Sequence, residues 1–235
     1  MKTILQFLFA LASAGMAWAQ TQIVVPDGLE NVEGNSSSAD LFVNGTAHLQ
    51  QVYASTVFQI GAPIARIDAI SFRIDTGFQG TFLGSWSLSM FMSTTTRSVD
   101  NLSPVFNDNV GADFVRVFGG PMGILVRDSD VNPRPFEVVV RLESPFFYEP
   151  SKGNLSIDIL AAGTRNLALD AQISVGDSVG RVYANPDALT GTVDSLGLST
   201  RFDITPVPEP SAIALALCNA LVFFLWTKYR SGKNR

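Results

Sequence analysis

Apolar and polar positions alternate with a period of two through much of this chain, whereas helical periodicity is hard to find between Gln20 and Thr205. The stretch "ISFRID" sets Ile70, Phe72 and Ile74 on one face and Ser71, Arg73 and Asp75 on the other. "SWSLSMFM" sets Trp86, Leu88, Met90 and Met92 against Ser85, Ser87 and Ser89. The segments 114–118, 136–142, 155–160 and 201–204 obey the same rule, and 41–43, 51–58, 171–175 and 180–184 read as weaker strands. Glycine, proline, asparagine and aspartate punctuate them.

About nine or ten short strands with clean alternation fit an antiparallel sheet pair, each sheet burying one face. The expected fold is therefore all-β, an antiparallel jelly-roll-like β-sandwich. A parallel β/α fold would need intervening amphipathic helices, and a β-helix or propeller would need a fixed repeat; neither is visible. The stretch "STTTRSVDNLSPVFNDNVGAD" (93–113) has little alternation and is expected to loop over one edge of the sandwich.

The two ends break the pattern. "MKTILQFLFALASAGMAWAQ" runs from Lys2 through an apolar stretch to Ala17-Trp18-Ala19. Small residues at Ala17 and Ala19 ahead of Gln20 mark a secretory signal peptide cleaved after Ala19. At the other end, Ala212–Trp226 is apolar except for Asn219. Fifteen helical residues span roughly 22 Å, short of a ~30 Å hydrocarbon layer. Trp226 and Tyr229 suit an interfacial belt, and Lys228 and Arg230 can snorkel to lengthen the span. Residues 211–227 are thus expected to form one C-terminal transmembrane helix, with Trp226, Lys228 and Arg230 as anchor and stop. The positive-inside rule puts the basic tail in the cytoplasm and the body outside.

Just ahead of that helix stands Val207-Pro208-Glu209-Pro210. A Pro-Glu-Pro motif, an apolar helix and a short basic tail at the extreme C-terminus resemble the PEP-CTERM sorting signal of bacteria, also called the ice-binding protein C-terminal domain, a label that does not itself imply ice binding. The resemblance implies an exosortase, a membrane-embedded protease-transpeptidase, as partner, with Pro208, Glu209 and Pro210 as its recognition residues. Prolines fix φ and deny a helix to the residue before them, so the motif offers extended backbone to a protease. "SPFFYEPSKGNLSIDI" (144–159) and "DSVGRVYA" (177–184) also resemble uncharacterised exported PEP-CTERM proteins, which implies a β-sandwich ectodomain. The domain plan that follows is signal peptide 1–19, ectodomain 20–205, sorting segment 206–230 and basic tail 228–235. The expected location is an inner-membrane-anchored precursor, then the cell surface or the medium after processing.

Composition narrows the function. The chain of 235 residues has 16% charged residues and a formal net charge of −5. Of its 16 Lys+Arg, Lys2 and the four basic residues after Trp226 lie outside 20–205, so the body is strongly acidic. Nucleic acid is not an expected partner, because phosphate neutralisation needs clustered cations. The only cysteine, Cys218, lies in the apolar run, so the body has no disulfide and no thiolate chemistry.

Candidate chemistry is sparse. A Ser-His-Asp mechanism needs a histidine base, and the one histidine, His48, has no Gly-x-Ser-x-Gly elbow beside it. Zinc and iron want several His/Cys ligands. Calcium needs only oxygens, which Asp128 and Asp130, or Asp108, Asn109 and Asp113, could supply from loops. Glu137 and Glu143 lie near one strand, but glycoside hydrolysis needs two carboxylates across a cleft. For sugar stacking the candidates are Trp86, Phe146, Phe147 and Tyr148; Trp86 reads as core, and three consecutive aromatics cannot all face inward. No catalytic residue, metal ligand or cofactor is assigned. The expected function is a non-enzymatic surface or matrix protein associating with extracellular polysaccharide. Alternatives are a secreted carbohydrate-active enzyme on the same sandwich and an adhesin-like protein interaction module.

Overall fold

The computed structural model describes residues 19–78 and 80–207. These residues form an all-β structure, 60% strand and 6% helix, in two antiparallel sheets. Eleven strands follow one another: β1 (Thr21–Val25), β2 (Ser36–Tyr53), β3 (Ile64–Phe72), β4 (Phe82–Thr95), β5 (Val115–Val126), β6 (Val138–Tyr148), β7 (Asn154–Ile173), β8 (Val179–Ala184), β9 (Thr192–Asp194), β10 (Leu196–Leu198) and β11 (Thr200–Val207). Short 3-10 turns interrupt them at Ser55–Phe58, Phe106–Asn109 and Pro150–Lys152.

The smaller sheet has the order β1-β11-β3-β6, and the larger one β5-β4-β7-β2-β8-β9, with β10 paired to β7. The core lies between them. β4 shows why: every second residue from Phe82 to Met92 is buried, and the serines between face outward. Phe58 meets both Tyr148 and Phe202 edge-on at 5.2 and 5.1 Å between ring centres. Each such aromatic removes a large apolar area from water, and the edge-on contact adds about 0.5–1.5 kcal/mol.

β2 and β7 are longer than the alternation suggests, because the glycines that look like breaks sit inside the ladder. Gly45 pairs with Gly163, and Gly163 also pairs with Trp86 of β4. A side chain at Gly163 would occupy the space of the Trp86 indole, so the glycine is packing room, not a turn.

Three expectations are corrected. Ser71 and Arg73 do not face solvent; both are fully buried, Ser71 within β3 with its Oγ accepting from Arg201 Nη2, and Arg73 because β3 ends at Phe72 and the chain crosses to the larger sheet, where Ile74 bridges Leu169. Residues 55–58 form a 3-10 turn rather than strand. The stretch expected to loop over an edge begins as strand to Thr95 and then lies as a flap, residues 96–112, on the outer face of the larger sheet. There Leu102 and Phe106 pack on Val52 of β2 and Val182 of β8, forming a second small core. Four apolar side chains supply the alternation-free loop with a reason to stay down.

Among the described residues no helix is long and apolar enough to cross a membrane. The expected transmembrane segment 211–227 and the leader up to Trp18 lie outside the described residues. So do Pro208, Glu209, Pro210, Trp226, Lys228 and Arg230. Ala19 and Gln20 are described and exposed, immediately ahead of β1.

Candidate functional site

The outer surfaces of the two sheets differ in chemistry. On the smaller sheet Arg66 pairs with Asp68 and Arg201 lies near Asp203. The larger sheet splits in two. One half lies under the flap. The other half is open and uncharged along one row across four strands: Pro121 of β5, Ser87 of β4, Ala162 of β7 and Thr46 of β2.

Under the flap a chain of polar side chains runs from sheet to loop. His48 Nε2 lies 2.9 Å from Asp158 Oδ1, and Gln50 Nε2 donates to Asp158 Oδ2 at 2.9 Å. Asn109 Nδ2 of the flap donates to Gln50 Oε1 at 2.9 Å, and Asn109 Oδ1 accepts from the Ser103 N–H. The His48 ring stacks on Phe106 with centres 3.7 Å apart, and its Nδ1 is buried without a hydrogen-bond partner. Every member except that nitrogen is occupied in holding the flap. The histidine–aspartate pair lies beneath Phe106, between sheet and flap.

The row on the open half ends at a cleft of about 590 Å3 where β8 stops. β8 pairs with β2 only from His48 to Tyr53, so that side of β2 has no strand neighbour before His48. The β8–β9 connection closes the opposite wall. It is tied to the flap by the Gly191 N–H donating to the Pro104 carbonyl at 2.8 Å and by a bridge between Val105 and Thr190. Thr46, Asn185, Thr190 and Thr192 are exposed in the wall, with Tyr183 half-buried.

Asp40 also lines the cleft, and it shares the Arg181 guanidinium with Asp194. Arg181 Nη1 donates to Asp40 Oδ2 at 2.8 Å and Ser38 Oγ donates to the same oxygen at 2.6 Å. Arg181 grips Asp194 with two further bonds and lies over the Tyr183 ring, 4.4 Å from its centre. Burial alone would lower the guanidinium pKa, but the Asp194 hydrogen bond and the two carboxylate charges outweigh it and raise the value.

A second cleft, of about 430 Å3, lies among the β1–β2 loop, the Ser55–Phe58 turn and residues 174–178. It holds Asp27 and Asp177, and burial raises the Asp177 carboxyl above its ordinary value. Inside the core, burial likewise pushes the Tyr53 and Tyr148 phenols up.

The residues singled out from the sequence fall as follows. Trp86 is core, 1% exposed; Phe146 and Tyr148 are buried and Phe147 is 59% exposed, alone on the opposite face of β6. Asp108 accepts from Ser103 Oγ and lies near Arg97; Asp113 accepts from Thr94; Asn109 is buried in the flap chain. Asp128 accepts from the Gly80 N–H and shares a polar hollow with Asp130. Among the described residues no group of three or more His, Cys, Asp or Glu is placed to hold a metal ion. Glu137 pairs with Arg134, and Glu143 reaches Arg116 at 4.0 Å, so the two glutamates have separate partners. The cleft beside β2 escaped sequence reading because its lining comes from two stretches far apart in the chain, 40–47 and 183–192, neither with a motif of its own.

No family model matches the chain, and no curated protein matches it. Among solved structures there is a similarity to the structure of infectious bursal disease virus Gx strain, at 12% identity and a TM-score of 0.19. It covers 91% of this chain and 49% of that one, so the chain spans about half the length of its counterpart. A likeness at that level carries no argument about fold or function.

Proposed function

We propose that the chain is an exported, non-enzymatic cell-surface or extracellular-matrix protein, built on a jelly-roll sandwich and sorted by an exosortase, that associates with extracellular polysaccharide. The strand orders support the jelly-roll reading. The smaller sheet uses the first, last, third and sixth strands, and four neighbours of the larger one are the second, seventh, fourth and fifth. Those are two interleaved Greek keys, once β8, β9 and β10 count as an elaboration before the final strand.

The observation that carries the sorting reading is where the domain's ends lie relative to the two terminal signals. Thr21, two residues past Ala19, pairs with Ile204, and β11 continues to Val207, the residue before Pro208. Three strand residues cover about 10 Å, so the described ends, from which the proposed leader and sorting motif would continue, lie at one end of one sheet. The neutral, hydroxyl-bearing open half of the larger sheet supports polysaccharide as the partner, since hydroxyls and amides both donate and accept.

Replacing Pro208 and Glu209 by alanine tests the reading. Full-length protein should accumulate in the inner membrane, while the parent protein is processed and carries Gln20 at its N-terminus by mass spectrometry. Unchanged processing of the variant would sink the sorting assignment.

A further inference from the structure

We infer that the cleft between the free edge of β2 and the β8–β9 connection is a binding site for a neutral sugar unit of a polysaccharide chain. The inference rests on the polysaccharide reading above and gives it a place on the molecule.

Volume comes first. About 590 Å3 lies within the range of small-ligand sites, and the floor is kept clear by Ala47, Ala184, Ala188 and Gly191. At Gly191 a side chain would collide with Val182, Phe106 and the Tyr183 carbonyl behind the wall, so the glycine lets the β8–β9 connection sit close on the sheet. The walls are also set in advance. The β8–β9 ladder fixes Tyr183 opposite Thr192, and the flap holds Thr190 and Gly191 from behind. A site with fixed walls loses little freedom when a ligand enters.

The chemistry then selects the class. Thr46, Thr190 and Thr192 each bring one donor and two acceptor positions, and Asn185 brings two of each. That mixture suits ring hydroxyls, which also donate and accept. The strand edge adds backbone groups that need partners. Charge excludes polyanions: the lining has no lysine or arginine side chain, and its one carboxylate, Asp40, is engaged by Arg181 and Ser38. A uronate or phosphate would meet a carboxylate that shares its guanidinium with Asp194, and no lysine or arginine among the described lining residues. An extended peptide could add to the edge of β2, but such recognition needs apolar pockets for alternate side chains, and the lining is mostly polar. Finally, the cleft is continuous with the uncharged row Pro121–Ser87–Ala162–Thr46, which crosses three strand spacings, about 14 Å, and gives neighbouring sugar units a surface to lie on.

Affinity electrophoresis of the full-length detergent-solubilised protein, in gels holding dextran, β-1,3-glucan, galactomannan or alginate, tests this. At least one neutral polymer should retard the protein and alginate should not. The Asn185→Ala/Thr192→Val double variant changes two exposed residues and should keep its thermal melt while weakening retardation at least tenfold. Ser144→Ala, exposed on β6 of the smaller sheet, should leave retardation unchanged. Retardation by a neutral polymer that the double variant retains would overturn the cleft while leaving polysaccharide association standing. Retardation by none of the polymers would overturn both. Retardation by alginate alone, or capture of extended peptides in place of glycans, would overturn the neutral-sugar assignment.

Discussion

Two segments of this protein lie over the sandwich and are fastened by buried polar groups, and they are fastened differently. The β1–β2 loop, residues 26–35, is held by full charges. Arg73 Nη1 and Nη2 donate to the carbonyls of Leu29 and Val32 at 2.9 and 2.6 Å, and the guanidinium binds Asp170 Oδ2 through Nε and Nη2. Asp170 Oδ1 then accepts from the Gly34 N–H at 2.8 Å, and both ionic side chains are 0% exposed. The flap is held by amides, one histidine–aspartate contact and a few apolar side chains. Glycine permits both approaches: a side chain at Gly34 would strike the Ala171 carbonyl, and one at Gly180 the Val99 carbonyl. A fully buried charged lock holds or fails as a unit, because one partner alone is an unpaired buried ion. A chain of neutral groups over a small core yields in steps. The segment that backs a wall of the proposed sugar site is the one with the graded fastening.

Breaking the charged lock should have the largest effect. Asp170→Ala leaves Arg73 buried and unpaired and should cost about 3–5 kcal/mol in urea unfolding. The Arg73→Met/Asp170→Leu double variant should regain much of that loss, since it removes both desolvated charges. If Asp170→Ala cost no more than a surface substitution, the contrast drawn here would collapse.

Phe106→Ala attacks the other segment. The ring stacks on His48 and anchors the small core, yet that cluster is a satellite of the main one. A loss of about 2–3 kcal/mol is expected, below the usual main-core range because the flap can open locally. Hydrogen exchange should show it. Amides of residues 96–112 should lose protection while those of β4 and β7 keep theirs. Uniform loss across the sandwich would mean that the flap is not a separate unit. Asn109→Ala is milder: it strands Gln50 Oε1 and the Ser103 N–H and should cost about 1–2 kcal/mol. Retardation by a neutral polysaccharide should weaken in both flap variants, because Pro104 and Val105 support the cleft wall.

Why one lock escaped sequence reading and the core did not is a matter of range. The alternation of β4 is local, so Trp86, Leu88 and Met90 were legible as core and Ser85 and Ser87 as surface. Arg73 follows the same alternation in "ISFRID" and looks solvent-facing, but its partner is 97 residues away, and only the crossing of the chain between sheets hides it. Asp158 in "LSIDIL" is likewise on the outward side of its strand, and the flap buries it. Strand ends failed for a related reason. Gly45 and Gly163 read as punctuation, yet they pair with each other inside the ladder, and at Gly163 the Trp86 indole takes the space of a side chain. The sugar-site candidates fared unevenly. The aromatic run 146–148 was correctly read as partly exposed, through Phe147, whereas Tyr183 and Asn185 gave no local signal for a cleft.

The smallest expected effect lies where the two segments meet. Residues 174–178 face the β1–β2 loop across the second cleft, and the Gly176 N–H donates to Asp100 of the flap. Burial raises the Asp177 carboxyl above its ordinary value of 3.8, the Val179 N–H opposes this, and the Asp100 charge adds to it. A folded pKa above the unfolded one means that the folded state holds the proton more tightly. This contribution to stability is therefore full below the unfolded pKa and is lost as pH rises through the folded one. At neutral pH the charged Asp177 is a small cost, and Asp177→Asn keeps an oxygen for the Val179 N–H. The variant should melt slightly higher than the parent at pH 7, by no more than about 2 °C, and no higher at pH 3. Glu33, raised chiefly by burial in the β1–β2 loop, shifts in the same direction, so Glu33→Gln should reproduce the sign. A lower melt for Asp177→Asn at pH 7 would show that its charge holds the two segments together, and the junction would then belong with the charged lock rather than the neutral one.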